Sequence, residues 1–205
     1  MPGRSFMTRP LEEIATHLDA DLGDLNEPPR FNISPGQEIV ACSPDRVLTR
    51  MRWGIIPVGR VNARGRPVME TVINARSETV FTKSAFDGVR RCLVPADGWY
   101  EWTGEKRRKT AWAITRVSNA PVVFAGIYDV WTAPNGQDIQ QAATLTCAPN
   151  GDVRDIHHRM GVILDPADFA TWLDGSQEEA AALMRPLPDG LLSVKEAKDI
   201  DWDGP

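Results

Sequence analysis

Three short stretches set side chains with chemical potential close together. In Thr71–Glu78 (TVINARSE), strand alternation puts Ile73 and Ala75 on one face and Asn74 and Arg76 on the other. An amide beside a guanidinium can hold a phosphate or a sugar oxygen. A solvated strand face carries the same pattern. In Gly98–Trp102 (GWYEW), alternation places Trp99 and Glu101 on one side, Tyr100 and Trp102 on the other. A carboxylate among aromatics is costly to bury ionised, so its pKa should rise, which suits a general acid or base. A glutamate paired with an arginine would read the same way. In Asp155–Met160 (DIHHRM), His157 stands two positions before Arg159, a proton-transfer group beside an anion-binding one. A structural histidine is the plainer reading. Each stretch alone is a weak signal.

These stretches need a scaffold. Leu11, Ile14, Leu18 and Leu22 repeat at helical spacing, with Thr8 as the cap and Pro10 in the first turn. Glu38–Ser43 and Val47–Trp53 flank the turn Ser43-Pro44-Asp45-Arg46 and read as a hairpin. Residues 57–70 are rich in Gly, Arg and Pro and read as a surface loop. Thr71–Arg76 reads as a strand, Ser77–Phe86 as a short helix, and Cys92–Trp102 as a strand interrupted at Pro95–Gly98. Gly104–Lys109 is a basic hairpin tip. Ala111–Val117 and Val122–Tyr128 flank a turn, and Ala142–Cys147 and Gly161–Leu164 add further β structure. Asp165–Asp168 starts a helix, and Ser176–Glu179 is a capping box for the next. The last 20 residues show no period. The expected fold is one α+β domain over residues 1–205, mainly antiparallel and barrel-like, with peripheral helices and a divergent acidic segment at 185–205.

Composition narrows the function classes. The chain has 205 residues, enough to bury a core without disulfides or metal. Cys42, Cys92 and Cys147 lie far apart, and His17, His157 and His158 are the only histidines, so neither a disulfide scaffold nor a zinc finger is readable and no metal is expected. No apolar run approaches the ~18 residues of a membrane span, and the start lacks a signal-peptide core, so a cytoplasmic protein is expected. The net charge of −5 is unevenly spread. Residues 1–116 carry 18 basic and 14 acidic side chains, and residues 117–205 carry 5 and 14. A local anion-binding face can therefore coexist with an acidic end.

Taken in order, five blocks form a specific pattern: RFNISPGQ at 30–37, RWGIIP at 52–57, INARSET at 73–79, RRCLVPADGWYEW at 90–102 and IHHRM at 156–160. This set resembles the SOS response-associated peptidase (SRAP) family, from residue 1 to about residue 175. The resemblance implies a protein of the DNA damage response that binds single-stranded DNA and captures abasic sites. In that family the second residue is cysteine, and its amine and thiol trap the sugar aldehyde as a thiazolidine. The same cysteine is linked to peptidase activity on the family's own amino terminus. By the same resemblance Asn74 contacts the abasic sugar, Glu101 is the active-site glutamate and His157 assists ring opening. Arg4, Arg76 and Arg159 would bind phosphate. No cofactor is implied, and a monomer is expected.

The chain departs from the family at position 2, where Pro2 replaces the cysteine. The thiazolidine route and self-cleavage through a thiol are then closed. Val58-Gly59-Arg60 stands where many members carry an aromatic wedge, and Arg60 can stack on a base instead. Gly161 replaces the proline after the histidine block, and the closing segment VKEAKDIDWDGP lacks the family's Val-Asn pattern. Removal of Met1 would make Pro2 a secondary amine with a pKa near roughly 8, able to condense with an aldehyde as an iminium and act as a lyase. Two readings follow: an enzyme acting on abasic sites by an amine route, or a non-catalytic binder of single-stranded or damaged DNA. A hydrolase acting on other proteins lacks any readable Ser/His/Asp, Cys/His or metal set.

Overall fold

The computed structural model describes residues 2–57, 71–105 and 108–204. The chain forms β1 (Ser5–Met7), α1 (Leu11–Leu18), β2 (Arg30–Ile33), β3 (Glu38–Cys42), β4 (Leu48–Trp53), β5 (Asn74–Arg76), β6 (Arg90–Ala96) and β7 (Gly98–Thr103). Then come β8 (Thr110–Arg116), β9 (Val122–Thr132), β10 (Asp138–Cys147), β11 (Met160–Gly161), α2 (Phe169–Asp174), α3 (Gln177–Leu183) and β12 (Leu192–Glu196). Strands β10, β4, β3, β6 and β9 pair in that order, and β9 pairs back onto β10. This closed barrel leaves no edge open around its circuit. A second sheet runs β12-β8-β7-β1-β2, antiparallel throughout. The single-domain, mainly antiparallel architecture agrees with the expectation, with parallel pairing confined to β10 against β4 and β5 among the named strands.

The barrel wall is built from small and branched residues that exclude water, among them Ala41, Leu93, Ala125, Ile127, Ala143 and Leu145, all with no exposed surface. Trp172 of α2 packs against the wall, and its indole N–H donates to the Cys92 carbonyl at 2.9 Å. Burying that ring with its polar edge satisfied is why the short α2 stays docked; truncation of a buried Trp costs about 3–5 kcal/mol. The capping box of α3 forms as expected: Ser176 accepts from the Glu179 N–H, and the Glu179 carboxylate takes the Ser176 N–H.

The two sheets are joined where the chain passes from β6 into β7 at Asp97. Burial alone would raise the Asp97 pKa, but Arg9 and the Thr8 N–H and hydroxyl outweigh it and hold the carboxyl below its usual range. Thr8 is spent there, which corrects its expected role as the α1 cap: Pro10 occupies the cap position with no side-chain bond. Helix α1 also stops short of Leu22, because Asp19 turns left-handed at φ 50°. Gly98 follows directly, where any Cβ would strike the Ile114 carbonyl and the Phe6 ring, so only glycine lets β7 lie this close.

One further expectation is corrected, and two regions gain detail. Residues 77–86 form successive turns and one short 3-10 segment, Ser84–Phe86, where Val80 and Phe86 are buried and Phe81 packs against the core. The strands near 111–117 and 122–128 are not a hairpin: β8 belongs to the second sheet and β9 to the barrel. The acidic end holds a strand, β12, whose five residues pair with β8 from Leu192↔Arg116 to Glu196↔Trp112. The 57–70 loop lies, from residue 58 on, outside the described residues.

Candidate active site

The amino terminus enters between the two sheets. Ser5 pairs with Trp99, and the Tyr100 N–H donates to the Arg4 carbonyl at 2.9 Å. Extending that antiparallel register brings residues 2 and 3 alongside Glu101. Pro2 is buried, and its carbonyl accepts from Asn74 Nδ2 at 2.6 Å. Asn74 sits on β5 opposite Thr144 of β10, and the Thr144 hydroxyl donates to Asn74 Oδ1. With its oxygen held, the Asn74 amide must present its NH2 group to Pro2. The Pro2 ring lines a cavity of about 10 Å³ with Met7, Ile33, Trp53 and Phe124. It also lies 3.4 Å from the place a Gly161 Cβ would take, where the Phe124 ring already leaves no room for a side chain. The two departures at positions 2 and 161 are thus neighbours in space.

Glu101 is 4% exposed. Burial raises its pKa; the amino-terminal charge and the Trp99 N–H, which reaches no acceptor at full hydrogen-bond geometry, pull only partly the other way. The rise expected from its aromatic surroundings is present, the direction that suits a general acid. His157 moves oppositely: burial, then the amino-terminal charge, lower its pKa, so the ring is neutral at pH 7. Its Nδ1 faces both the N–H (3.0 Å) and the carbonyl (3.1 Å) of Arg159. The neutral ring accepts from the first and the protonated ring donates to the second, so His157 keeps its anchor in either state. In the neutral state the proton sits on Nε2. The carboxyl is pushed up and the imidazole down, opposite shifts set by the surroundings of each.

The arginines differ. Arg159 forms a two-pronged pair with Glu78 and donates to the Thr146 carbonyl. The bond from Arg159 draws the Glu78 pKa down to about 2, so the pair persists across the working pH range. Arg76 is exposed at the end of β5, two residues beyond Asn74. Arg4 donates to Asn32 Oδ1 and, at 3.4 Å, to the Trp202 carbonyl. Arg60 lies outside the described residues. Cys42 and Cys147 are buried thiols pushed up to about 11 by burial, and Cys92 is pushed up further by the same cause. None of the three is a thiolate nucleophile at neutral pH. Among the described residues no group of three or more His, Cys, Asp or Glu side chains could hold a metal ion, and no helix is long and apolar enough to cross a membrane.

Sequence reasoning did not single out Thr144, Glu78, Asn32 or Trp202. Thr144 and Thr146 carried a signal: two hydroxyls at alternate positions of the apolar end of β10, both buried and both hydrogen-bonded, to Asn74 and to the Ala75 carbonyl. Trp202 carried none, since nothing local in an acidic stretch tells where an aromatic will dock.

Comparison with known proteins identifies the family and the fold. The model of the SOS response associated peptidase (SRAP) family matches residues 1–199. The chain is 33% identical to the abasic site processing protein YoaM of Bacillus subtilis, covering 98% of this chain and 88% of that one. It is 30% identical to the Bacillus subtilis abasic site processing protein YoqW, over 98% and 89%. A crystal structure of a Bordetella bronchiseptica protein superposes with a TM-score of 0.81 at 25% identity, covering 96% of this chain and 99% of that one. Shared from its amino terminus to the strand that closes the second sheet, the pattern makes this chain a member of the SRAP family.

Proposed function

We propose that this protein processes abasic sites in single-stranded DNA, capturing the ring-opened sugar transiently through the amine of Pro2. The observation that carries the reading is the Asn74–Pro2 hydrogen bond of 2.6 Å, which holds residue 2 in the cleft beside the buried Glu101. Once Met1 is removed, the neutral Pro2 nitrogen attacks C1′ of the sugar aldehyde and forms a carbinolamine. Glu101 donates a proton to the departing hydroxyl, water leaves, and an iminium remains. The iminium acidifies the sugar C2′ protons. Neutral His157 or ionised Glu101 takes one, the 3′ phosphate leaves, and the strand is cut by β-elimination. Water then hydrolyses the iminium and returns the free amine. Asn74 orients the sugar, while Arg4, Arg76, Arg159 and Arg60 hold phosphates on either side. Those contacts carry no base information and weaken as salt rises. The work belongs to the DNA damage response in the cytosol, and a monomer suffices, since both walls of the cleft come from one chain.

The test is borohydride trapping on an abasic single-stranded oligonucleotide, using protein shown by intact mass to begin at Pro2. A trapped complex with reductant, and none surviving denaturation without it, is expected. A heat-stable adduct without reductant would show a different nucleophile. A second reading, a binder that has lost its chemistry, is favoured by the burial of the Pro2 ring among apolar side chains. It predicts DNA binding with no trapped species.

A further inference from the structure

The carboxy-terminal segment beyond β12 folds back over the face of β7 that carries Tyr100 and Trp102, opposite the face that carries Glu101. Trp202 stands edge-on to Tyr100, with ring centres 5.0 Å apart, and packs against Trp102 at 5.3 Å. Phe6 extends the same aromatic shelf, 4.9 Å from Tyr100. The segment is also held by its backbone. Asn32 Nδ2 donates to the carbonyls of Trp202 (2.7 Å), Gly204 (3.1 Å) and Asp201 (3.2 Å), and Arg4 reaches the Trp202 carbonyl. Asp201 and Asp203, on either side of Trp202, stay exposed. Asp201 further shapes the turn by accepting the N–H groups of Asp203 and Gly204.

A flat ring on an aromatic shelf, flanked by anions and touching an arginine, is the chemical pattern of a nucleobase between two phosphates. All of the tail but Asp199 lies beyond the part matched by the family model, which ends at residue 199. We infer that residues 199–204 are an intramolecular competitor of single-stranded DNA, with Trp202 in the place of a base on the Phe6–Tyr100–Trp102 shelf and its backbone on the Arg4–Asn32 pair. The inference rests on the proposed DNA-binding reading. DNA engages the shelf only in the fraction of molecules whose tail has lifted, so apparent affinity is reduced by that fraction. The tail adds three carboxylates (Asp199, Asp201, Asp203) that repel the backbone while it stays in place.

The experiment is fluorescence anisotropy of a labelled 15-mer oligothymidine without abasic sites, so that covalent chemistry plays no part. Three proteins are compared at one salt concentration: the full chain, a chain ending at Lys198, and Trp202→Ala in the full chain. Thermal melts confirm that each is folded. The truncated chain should bind about tenfold tighter, following the competent-fraction relation. Trp202→Ala, which keeps every charge, should recover a large part of that gain. A synthetic peptide of residues 198–205 should compete with DNA for the truncated chain. Equal affinity in all three proteins overturns the inference and leaves the DNA reading standing. Tightening on truncation but none with Trp202→Ala also overturns it, because bulk charge would then be the whole effect. No binding by any of the three removes the DNA reading and this inference with it.

Discussion

The two walls of the cleft are held in different ways. On the barrel side, Asn74 is fixed by Thr144 of β10, and Arg159 by Thr146 of β10 and by Glu78 in the turns after β5. On the sheet side, Arg4 and Asn32 spend their bonds partly on one another and partly on a terminal segment from the far end of the chain. The barrel wall is set by strand pairing and cannot shift without opening β10, which is bonded on both edges. The Tyr100–Trp102 face of the second sheet is covered by the terminal segment that carries Trp202. On the proposed function, orientation of the sugar would fall to the barrel and access to the sheet.

The largest effect expected from breaking this division comes at position 2. Pro2→Cys supplies the thiol that the family uses, and the barrel wall that would orient it is already in place. The variant should convert a complex that falls apart on denaturation into one that survives heating without reductant, read on denaturing gels. Failure of that variant to form a stable adduct, from protein shown by mass to begin at Cys, would mean the barrel wall is not set for the sugar.

Asn74→Ala comes next. It removes the bond to Pro2 and leaves the Thr144 hydroxyl without its partner. Loss of a positioning contact of this kind costs about 10²-fold in rate, to be measured as the initial rate of borohydride trapping. Oligothymidine affinity should move little, because the sheet wall is untouched. An equal loss in both measurements would erase the distinction between the walls.

How much of this was legible in the sequence follows from what each wall is made of. Asn74, Glu101 and His157 lie inside contiguous motifs, and strand alternation gave each its face. The rise in the Glu101 pKa followed from aromatic neighbours two residues away or closer. The crossing of β8 and β9 into different sheets was not legible, because a short turn between two strands ordinarily makes a hairpin, and only Asp97 and Gly98 far upstream show that the chain has already changed sheets. The role of Thr8 was misread for a related reason: a threonine before a helix caps it unless a buried carboxylate elsewhere claims it. Strand β12 and the Trp202 contact depend on partners more than 70 residues away, which no local period encodes.

The smallest expected effect is on stability. The Glu101 pKa is raised in the folded state by burial, so the stability it contributes is present below the ordinary carboxylate range and is lost as pH rises through the raised value. Glu101→Gln removes that loss. The variant should match the parent near pH 4 and melt higher at pH 7–8, by roughly 2–4 °C, the scale of about 1 kcal/mol in a chain of this length. It should at the same time slow trapping, since its amide cannot give up a proton. A parent as stable at pH 8 as the variant would mean that the carboxyl is not buried in solution.

The central claim is that the nitrogen of residue 2 is the group that bonds to the sugar. Tandem mass spectrometry of the borohydride-reduced, nuclease-digested complex reads this directly. The account predicts the sugar-derived mass on the amino-terminal peptide, with fragment ions placing it on the nitrogen of Pro2. The same mass on a lysine, or on a peptide that still begins with Met1, would contradict it.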